Sequence, residues 1–331
     1  MLKIGIIGLG FMGETHAAVY RQLLSALAFE ITAIADYNKE KADKTAKLLD
    51  AKAYDSPQDL IEQADVNTVD ICLPTFLHYE YAAMALAKGF NVFVEKPLCL
   101  HSKDAYALAK MAEEKKVFAQ VGQCIRFWPE YEYLRSVIES GRYGKVKHIK
   151  LRRLSPRPTW DWNNWLLDDR LSGGAVLDLQ IHDVDFALYL FGKPKEIRSF
   201  VNHDGGRFSG IVSELKYNHC TVITEGTWDY PLSFPFEMSY IAALEQATII
   251  FSSLHGLQVC TADGTNFSPE LKKACSEQND AGGNISDLSG YYNELYYFID
   301  CINKGIQPVK ASFTAGAEAI ELIEKQKCAI G

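Results

Sequence analysis

Residues 3–7, KIGII, form a short apolar run that passes directly into the glycine turn GLGFMG of residues 8–13. A continuous apolar run of this length reads as a strand buried on both faces of a parallel sheet. The G-x-G-x-x-G spacing then constrains what can follow. Its first glycine makes a tight turn, its second lets a pyrophosphate approach the main chain, and its third lets the next helix pack closely on the strand. The helix N-terminus presents free N–H groups and a positive dipole end to phosphate. Alone the motif is weak, but a strand before it and a helix after it supply the context it requires. Gly8, Gly10, Phe11, Met12 and Gly13 are therefore the expected contacts to a dinucleotide.

The pattern after this turn alternates. EITAIAD (30–36), VDICLP (69–74), NVFVEKP (91–97) and VFAQVG (117–122) read as strands. Between them lie helical stretches, among them 39–49, 78–89 and 102–116, with Ser56–Pro57 opening another as N-cap and first helical residue. Such alternation predicts a doubly wound parallel sheet, a Rossmann α/β domain over 1–123. Beyond it, candidate strands cluster at 145–154, 196–204, 210–218, 220–230 and 236–253, with helices near 290–303 and 314–328. That predicts a second, α+β domain over 124–331 built on a largely antiparallel sheet. A chain of 331 residues is longer than one core usually organises, which agrees with two domains.

The net charge of −8 argues against a nucleic-acid partner, which needs a basic surface. No apolar run is long enough to cross a bilayer, and MLKIGIIGLG has no signal-peptide design. The eight cysteines include no C-x-x-C pair, and their scatter fits reduced thiols in a cytoplasmic protein.

Several residues fall where parallel strands end, the place where such folds bind ligands. Asp36 closes the second strand about 20 residues past the glycine turn, where an acid accepts from ribose hydroxyls and repels a 2′-phosphate. It favours NAD over NADP; the alternative is a surface acid at a strand end. In LPTFLH (73–78), Pro74, Thr75 and His78 are candidate cofactor contacts, or else a helix cap and an exposed first turn. In VEKP (94–97), Lys96 is a candidate donor to a developing alkoxide and Glu95 a buried acid beside the cofactor.

The stretch SGGAVLDLQIHDVDFALYLFG (172–192) reads as one apolar helix carrying acids and a histidine. At about 100° per residue, Asp178, His182, Asp185 and Tyr189 share one stripe, while Gln180, Asp183 and Ala187 lie opposite. One stripe can face water; the other needs a cleft or a polar network. Asp183 and Gln180 are expected on the solvent or polar side. Asp178 and His182 admit three readings: an i,i+4 ion pair, part of a metal site without a third ligand, or a general base with its carboxylate.

GIIGLGFMGETH, VFVEKPL and SGGAVLDLQIHDVD, in this order, resemble the Gfo/Idh/MocA oxidoreductases, and the resemblance extends to YYNELYYFIDCINKG near the end. It implies a C-terminal domain on an open mixed sheet that pairs copies into a homodimer or homotetramer. It also implies a catalytic set of Lys96, Asp178 and His182 with no metal. His182 would take the proton of a substrate hydroxyl, with Lys96 as the alternative base; Lys96 would bind the same oxygen and the nicotinamide ribose, and Asp178 a neighbouring hydroxyl. Gly173 and Gly174 would let the helix begin close to the nicotinamide.

The substrate is expected to be a sugar, sugar derivative or inositol, oxidised with NAD. Arg126, Trp162, Asn163 and Trp165 are expected around it, with Trp160, Tyr291 and Tyr292 as weaker candidates and at least one tryptophan serving packing. The alternatives are an NADPH-dependent carbonyl or dihydrodiol-type reductase and a dinucleotide-sensing regulator without turnover.

Overall fold

A computed structural model describes residues 1–272 and 288–329. It divides into two compact units. The first contains Met1–Cys124 and the described residues 288–318; the second contains 125–272 and 319–329.

The first unit opens β1 (Lys3–Ile7), α1 (Phe11–Leu23), β2 (Glu30–Ala35), α2 (Lys39–Leu49), β3 (Lys52–Tyr54) and α3 (Pro57–Gln63). It continues β4 (Thr68–Ile71), α4 (Thr75–Lys88), β5 (Asn91–Glu95), α5 (Ser102–Lys115) and β6 (Ala119–Gly122). The six strands pair in parallel in the order β3-β2-β1-β4-β5-β6. The order reverses between β1 and β4, so the loops leaving those strands open the crevice where ligands of this fold bind. Local chemistry sets the helix ends as the sequence suggests: Ser56 Oγ accepts from Asp59 N at 3.0 Å with Pro57 at the first position, and Gly89 ends α4 at φ 81°.

The second unit contains α6 (Pro129–Ser140), β7 (Val146–Pro156), α7 (Asp169–Ser172), α8 (Gly174–Asp178) and α9 (Ile181–Phe191). Seven strands follow: β8 (Glu196–Asp204), β9 (Arg207–Lys216), β10 (Thr221–Tyr230), β11 (Glu237–Leu244), β12 (Ala247–Ser252), β13 (Gly256–Thr261) and β14 (Asn266–Phe267). With β7 they form one sheet, β14-β13-β12-β11-β7-β10-β9-β8, in which β7 and β10 run parallel and every other pair antiparallel. The chain ends with α10 (Ser289–Lys304) and α11 (Phe313–Cys328).

Three features differ from the sequence expectation. The segment 236–253 is a hairpin, not one strand. Its turn donors Glu245 N and Gln246 N are satisfied by the carbonyls of Lys145 and Tyr143, each at 3.0 Å, so a distant segment makes the turn without glycine or proline. The helix expected over 172–192 is broken. Leu179 N and Gln180 N both donate to Ala175 O, at 3.1 Å each, and this extra i→i+5 bond separates α8 from α9. Finally, α10 belongs to the first unit rather than to a continuous 124–331 domain. Its Leu295, Phe298 and Ile299 are buried with Ile4, Ile6, Val19, Leu23 and Phe93.

Candidate active site

At the carboxyl end of β1 the three glycines have separable reasons. Gly8 has φ +90° and donates to Ala35 O at 2.8 Å. A Cβ on Gly13 would lie 1.9 Å from Gly8 O, so the close packing of α1 demands glycine. A Cβ on Gly10 would meet no atom of the chain within 4 Å, and its φ of −68° suits any residue. Nothing in the fold requires glycine there; a group lying against that main chain would. This is the fit expected for a pyrophosphate at the N-terminus of α1, where Phe11 and Met12 form the first turn.

Asp36, just after β2, receives Leu9 N at 2.6 Å on Oδ2 and Asn38 N at 2.7 Å on Oδ1. The carboxylate thus ties the glycine turn to the end of β2. Each oxygen keeps a second acceptor direction for a ribose hydroxyl.

After β4, Pro74 precedes α4 and Thr75 begins it, buried at the helix N-terminus. His78 is buried, which overturns the exposed first-turn alternative. Its Nδ1 lies 2.8 Å from Pro97 O and its Nε2 2.6 Å from Leu73 O. Burial lowers its pKa, and the two carbonyls pull the other way. Placed between these two carbonyls, with one N–H to donate when neutral, His78 bridges the loop after β4 and the turn after β5. That turn carries Lys96, half-buried, joined to Pro97 by a cis peptide. Glu95 is buried, and its Oε2 accepts the Lys96 N–H at 3.0 Å.

In the second unit, Asp178 ends α8 half-buried and His182 lies in the first turn of α9, 8% exposed. The opposite stripe does not face water. Asp183 accepts from Arg153 of β7 at 3.3 Å, and Gln180 Nε2 donates to Thr224 Oγ1 of β10 at 2.5 Å. A Cβ on Gly226 of β10 would lie 2.8 Å from Gln180 Cβ, so the α8–α9 junction rests directly on that strand. Gly173 and Gly174 are likewise explained by the fold. Their φ values are +78° and +67°, and a Cβ on Gly174 would stand 2.7 Å from Phe208 O.

Arg126 departs from its expected part in the substrate pocket. It is buried, and its Nε and Nη2 donate to Asp185 at 2.7 and 2.6 Å. Its guanidinium lies 4.4 Å from the Tyr189 ring centroid, and Arg135 lies 4.2 Å from the same ring. Asp185 and Tyr189 therefore anchor α9 rather than extend a free polar stripe. Burial pushes the Asp185 carboxyl up and the Arg126 charge pulls it back. Asp185→Ala should cost about 3–5 kcal/mol because it takes the paired carboxylate from a buried guanidinium. Urea unfolding monitored by tryptophan fluorescence measures this, and a loss below about 1 kcal/mol would contradict the anchoring role.

The aromatic candidates separate. Trp160 and Trp162 are 50% and 66% exposed, and Asn163 is exposed at φ +53°. Trp165 packs against Leu166, Ala175, Leu179 and Trp228, a structural use. Tyr291 and Tyr292 pack on the core of the first unit. Sequence reasoning passed over His16, Asp70 and Glu294, all fully buried in that unit. The available signal was spacing: Gly13, His16 and Tyr20 share the inward face of α1.

The fold and the glycine turn define a class of Rossmann-fold dinucleotide-binding protein. Residues 2–123 match the family described as "Oxidoreductase family, NAD-binding Rossmann fold", and residues 131–231 match the GFO/IDH/MocA C-terminal domain. The chain belongs to the Gfo/Idh/MocA family. Among its relatives is UDP-N-acetylglucosamine 3-dehydrogenase of Acidithiobacillus ferrooxidans, 31% identical over 60% of this chain and 57% of that protein. The chain thus spans little more than half the length of that relative. The scyllo-inositol 2-dehydrogenase (NAD(+)) of Bacillus subtilis is 26% identical over 95% of this chain and 90% of its own length. A solved levoglucosan dehydrogenase in complex with NADH and levoglucosan has the same fold, with a TM-score of 0.84, 21% identity and coverage of 99% and 96% of the two chains. Among the described residues no helix is long and apolar enough to cross a membrane.

Proposed function

We propose that this chain is an NAD-dependent dehydrogenase acting on a secondary alcohol of a sugar, sugar derivative or inositol. The observation that carries the reading is the strand-end array of the first unit. It combines a glycine that only a ligand requires, an acid with acceptor directions left over, and a lysine on a turn held by two neighbours. Relatives named as sugar and inositol dehydrogenases support the substrate class.

In this reading Gly10 and the first turn of α1 receive the pyrophosphate, and Asp36 accepts the adenosine ribose hydroxyls. The nicotinamide, when bound, takes the hydride from the carbinol carbon. His182 accepts the hydroxyl proton, Lys96 donates to the same oxygen as negative charge develops, and Asp178 binds a neighbouring hydroxyl. The open ends Trp162 and Asn163 offer an aromatic face and an amide to a sugar ring.

The sheet face opposite α8 and α9 is proposed to pair copies of the chain in a cytoplasmic homodimer or homotetramer. Phe200, Val212, Glu225 and Arg152 lie side by side across it, with Phe200 63% exposed. Sedimentation equilibrium gives the answer, and a monomer at all concentrations would refute it.

A panel of polyols and sugars with NAD, followed at the NADH absorbance, tests the activity. NAD should bind more tightly than NADP. Asp36→Ser should weaken NAD about 10-fold, the worth of one charge-assisted hydrogen bond near 1.5 kcal/mol. Tighter binding of NADPH than NADH by the unaltered protein would sink the Asp36 assignment.

A further inference from the structure

His16 lies on α1 almost one turn beyond Gly13 and is fully buried. Its Nδ1 is 2.8 Å from Asp70 Oδ2 on β4, and its Nε2 is 3.1 Å from Glu95 Oε1 at the end of β5. The Nδ1 contact is a hydrogen bond; the Nε2 contact is a close ion-pair approach, off the line of an ideal one. A neutral imidazole carries one N–H and would turn a lone pair toward one of these two acids. The doubly protonated ring presents a proton to each.

The remaining surroundings agree. Cys72 Sγ, just after β4, sits 3.3 Å from Nδ1, and the ring stands edge-on to Phe93 at 5.5 Å. Tyr20 of α1 lies against Asp70, and Tyr291 and Glu294 of α10 close the far side, with the Lys310 charge felt at Glu294. Burial acts to lower the His16 pKa, but the Asp70 charge and Cys72 outweigh it and raise it well above the usual value. Burial and the Glu95 charge raise the Glu294 carboxyl, which favours its neutral form.

Glu95 links this group to the reacting end. One oxygen faces His16 and the other accepts the Lys96 N–H at 3.0 Å. Gly122 of β6 leaves room for it, since a Cβ there would lie 2.9 Å from Glu95 Oε1.

We propose that His16 is a positioning residue: held as an imidazolium between Asp70 and Glu95, it fixes the Glu95 carboxyl and thereby the direction in which the turn after β5 presents Lys96. The dinucleotide helix and the lysine turn are thus coupled through one buried ring. The kinetic part rests on the proposed dehydrogenase reading with Lys96 at the reacting oxygen. Because the folded pKa is raised, the stabilisation from this charge is complete below the ordinary histidine pKa and is lost as pH rises through the folded value.

Two measurements on the full chain test it. The first needs no substrate: the ring ¹⁵N shifts of His16 should report both nitrogens still protonated at pH values where an ordinary histidine is neutral. Glu95→Gln should lower the pH at which the Nε2 proton is lost. A His16 in the unaltered protein that loses its proton where an ordinary histidine does would overturn the proposal. So would a stoichiometric divalent metal that is lost in His16→Asn, since the ligating atoms of His16, Glu95 and Glu294 lie within 4.8 Å of one another.

The second is a kinetic cycle. His16→Asn should lower kcat about 10- to 100-fold while the KM for NAD stays within about 3-fold, as expected for a misplaced group. The double variant with Lys96→Ala should be no slower than Lys96→Ala alone. Full additivity would overturn the coupling to Lys96. If His16→Asn does not fold, Glu95→Gln enters the same cycle with the same criteria. If the unaltered protein oxidises no polyol, the dehydrogenase reading fails, and the ¹⁵N shifts still decide the state of the clamp.

Discussion

Lys96→Ala is expected to lower turnover about 100- to 1,000-fold, the usual effect of removing one donor from a developing oxyanion. The fold should survive it. The Lys96 N–H is held by Glu95, and the following Pro97 carbonyl by His78, so the path of the turn does not depend on the lysine side chain. NAD affinity should fall by no more than about 10-fold, the worth of one ribose hydrogen bond, while kcat falls further. Lys96→Arg should also be slow, because a planar guanidinium cannot reproduce a compact ammonium at one oxygen. Single-turnover NADH formation, with NAD binding measured separately by calorimetry, distinguishes these effects. Unchanged turnover on every accepted substrate would remove Lys96 from the mechanism.

Gly13→Ala should be the most damaging single methyl in the first unit. Its Cβ would stand 1.9 Å from Gly8 O, a main-chain atom that no side-chain rotation can clear. Either α1 lifts from β1 or the turn that bears Gly8 is displaced. A loss of more than about 3 kcal/mol follows, beyond ordinary overpacking, together with loss of dinucleotide binding. Gly10→Ala is the internal control. Its φ of −68° is ordinary and its Cβ meets no atom within 4 Å, so thermal stability should hold while NAD affinity drops. Calorimetric melting and NAD titration of both variants decide the matter. If Gly10→Ala bound NAD as well as the unaltered chain, no pyrophosphate would lie against that glycine.

The first unit was largely legible in the sequence because its signals are local. Apolar runs, Ser56–Pro57 and the glycine turn act within a few residues, and parallel pairing follows from their alternation. The second unit depends on distant partners. Leu179 and Gln180 carry no helix-breaking signal, and the break between α8 and α9 lies where Gln180 rests against Gly226 of a distant strand. The Glu245–Gln246 turn has no turn residues and borrows its hydrogen bonds from Tyr143 and Lys145. The helical spacing puts Asp185 on the stripe of His182, but it does not reveal Arg126, which converts that acid into an anchor. His16 was passed over because a lone histidine on an apolar helix face normally reads as core. Only the fold brings acids from β4 and β5 to its two nitrogens.

The membership of α10 in the first unit bears on how the polypeptide is made. Ile4, Ile6 and Leu23 leave the ribosome long before Leu295, Phe298 and Ile299, which complete their core. At about 5–20 residues per second, the intervening synthesis takes on the order of 15–60 s. Throughout that interval the nascent nucleotide-binding half presents an uncovered apolar flank. Its final closure must wait until α10 has emerged, so a stop codon before α10 would release an incomplete half rather than an autonomous domain.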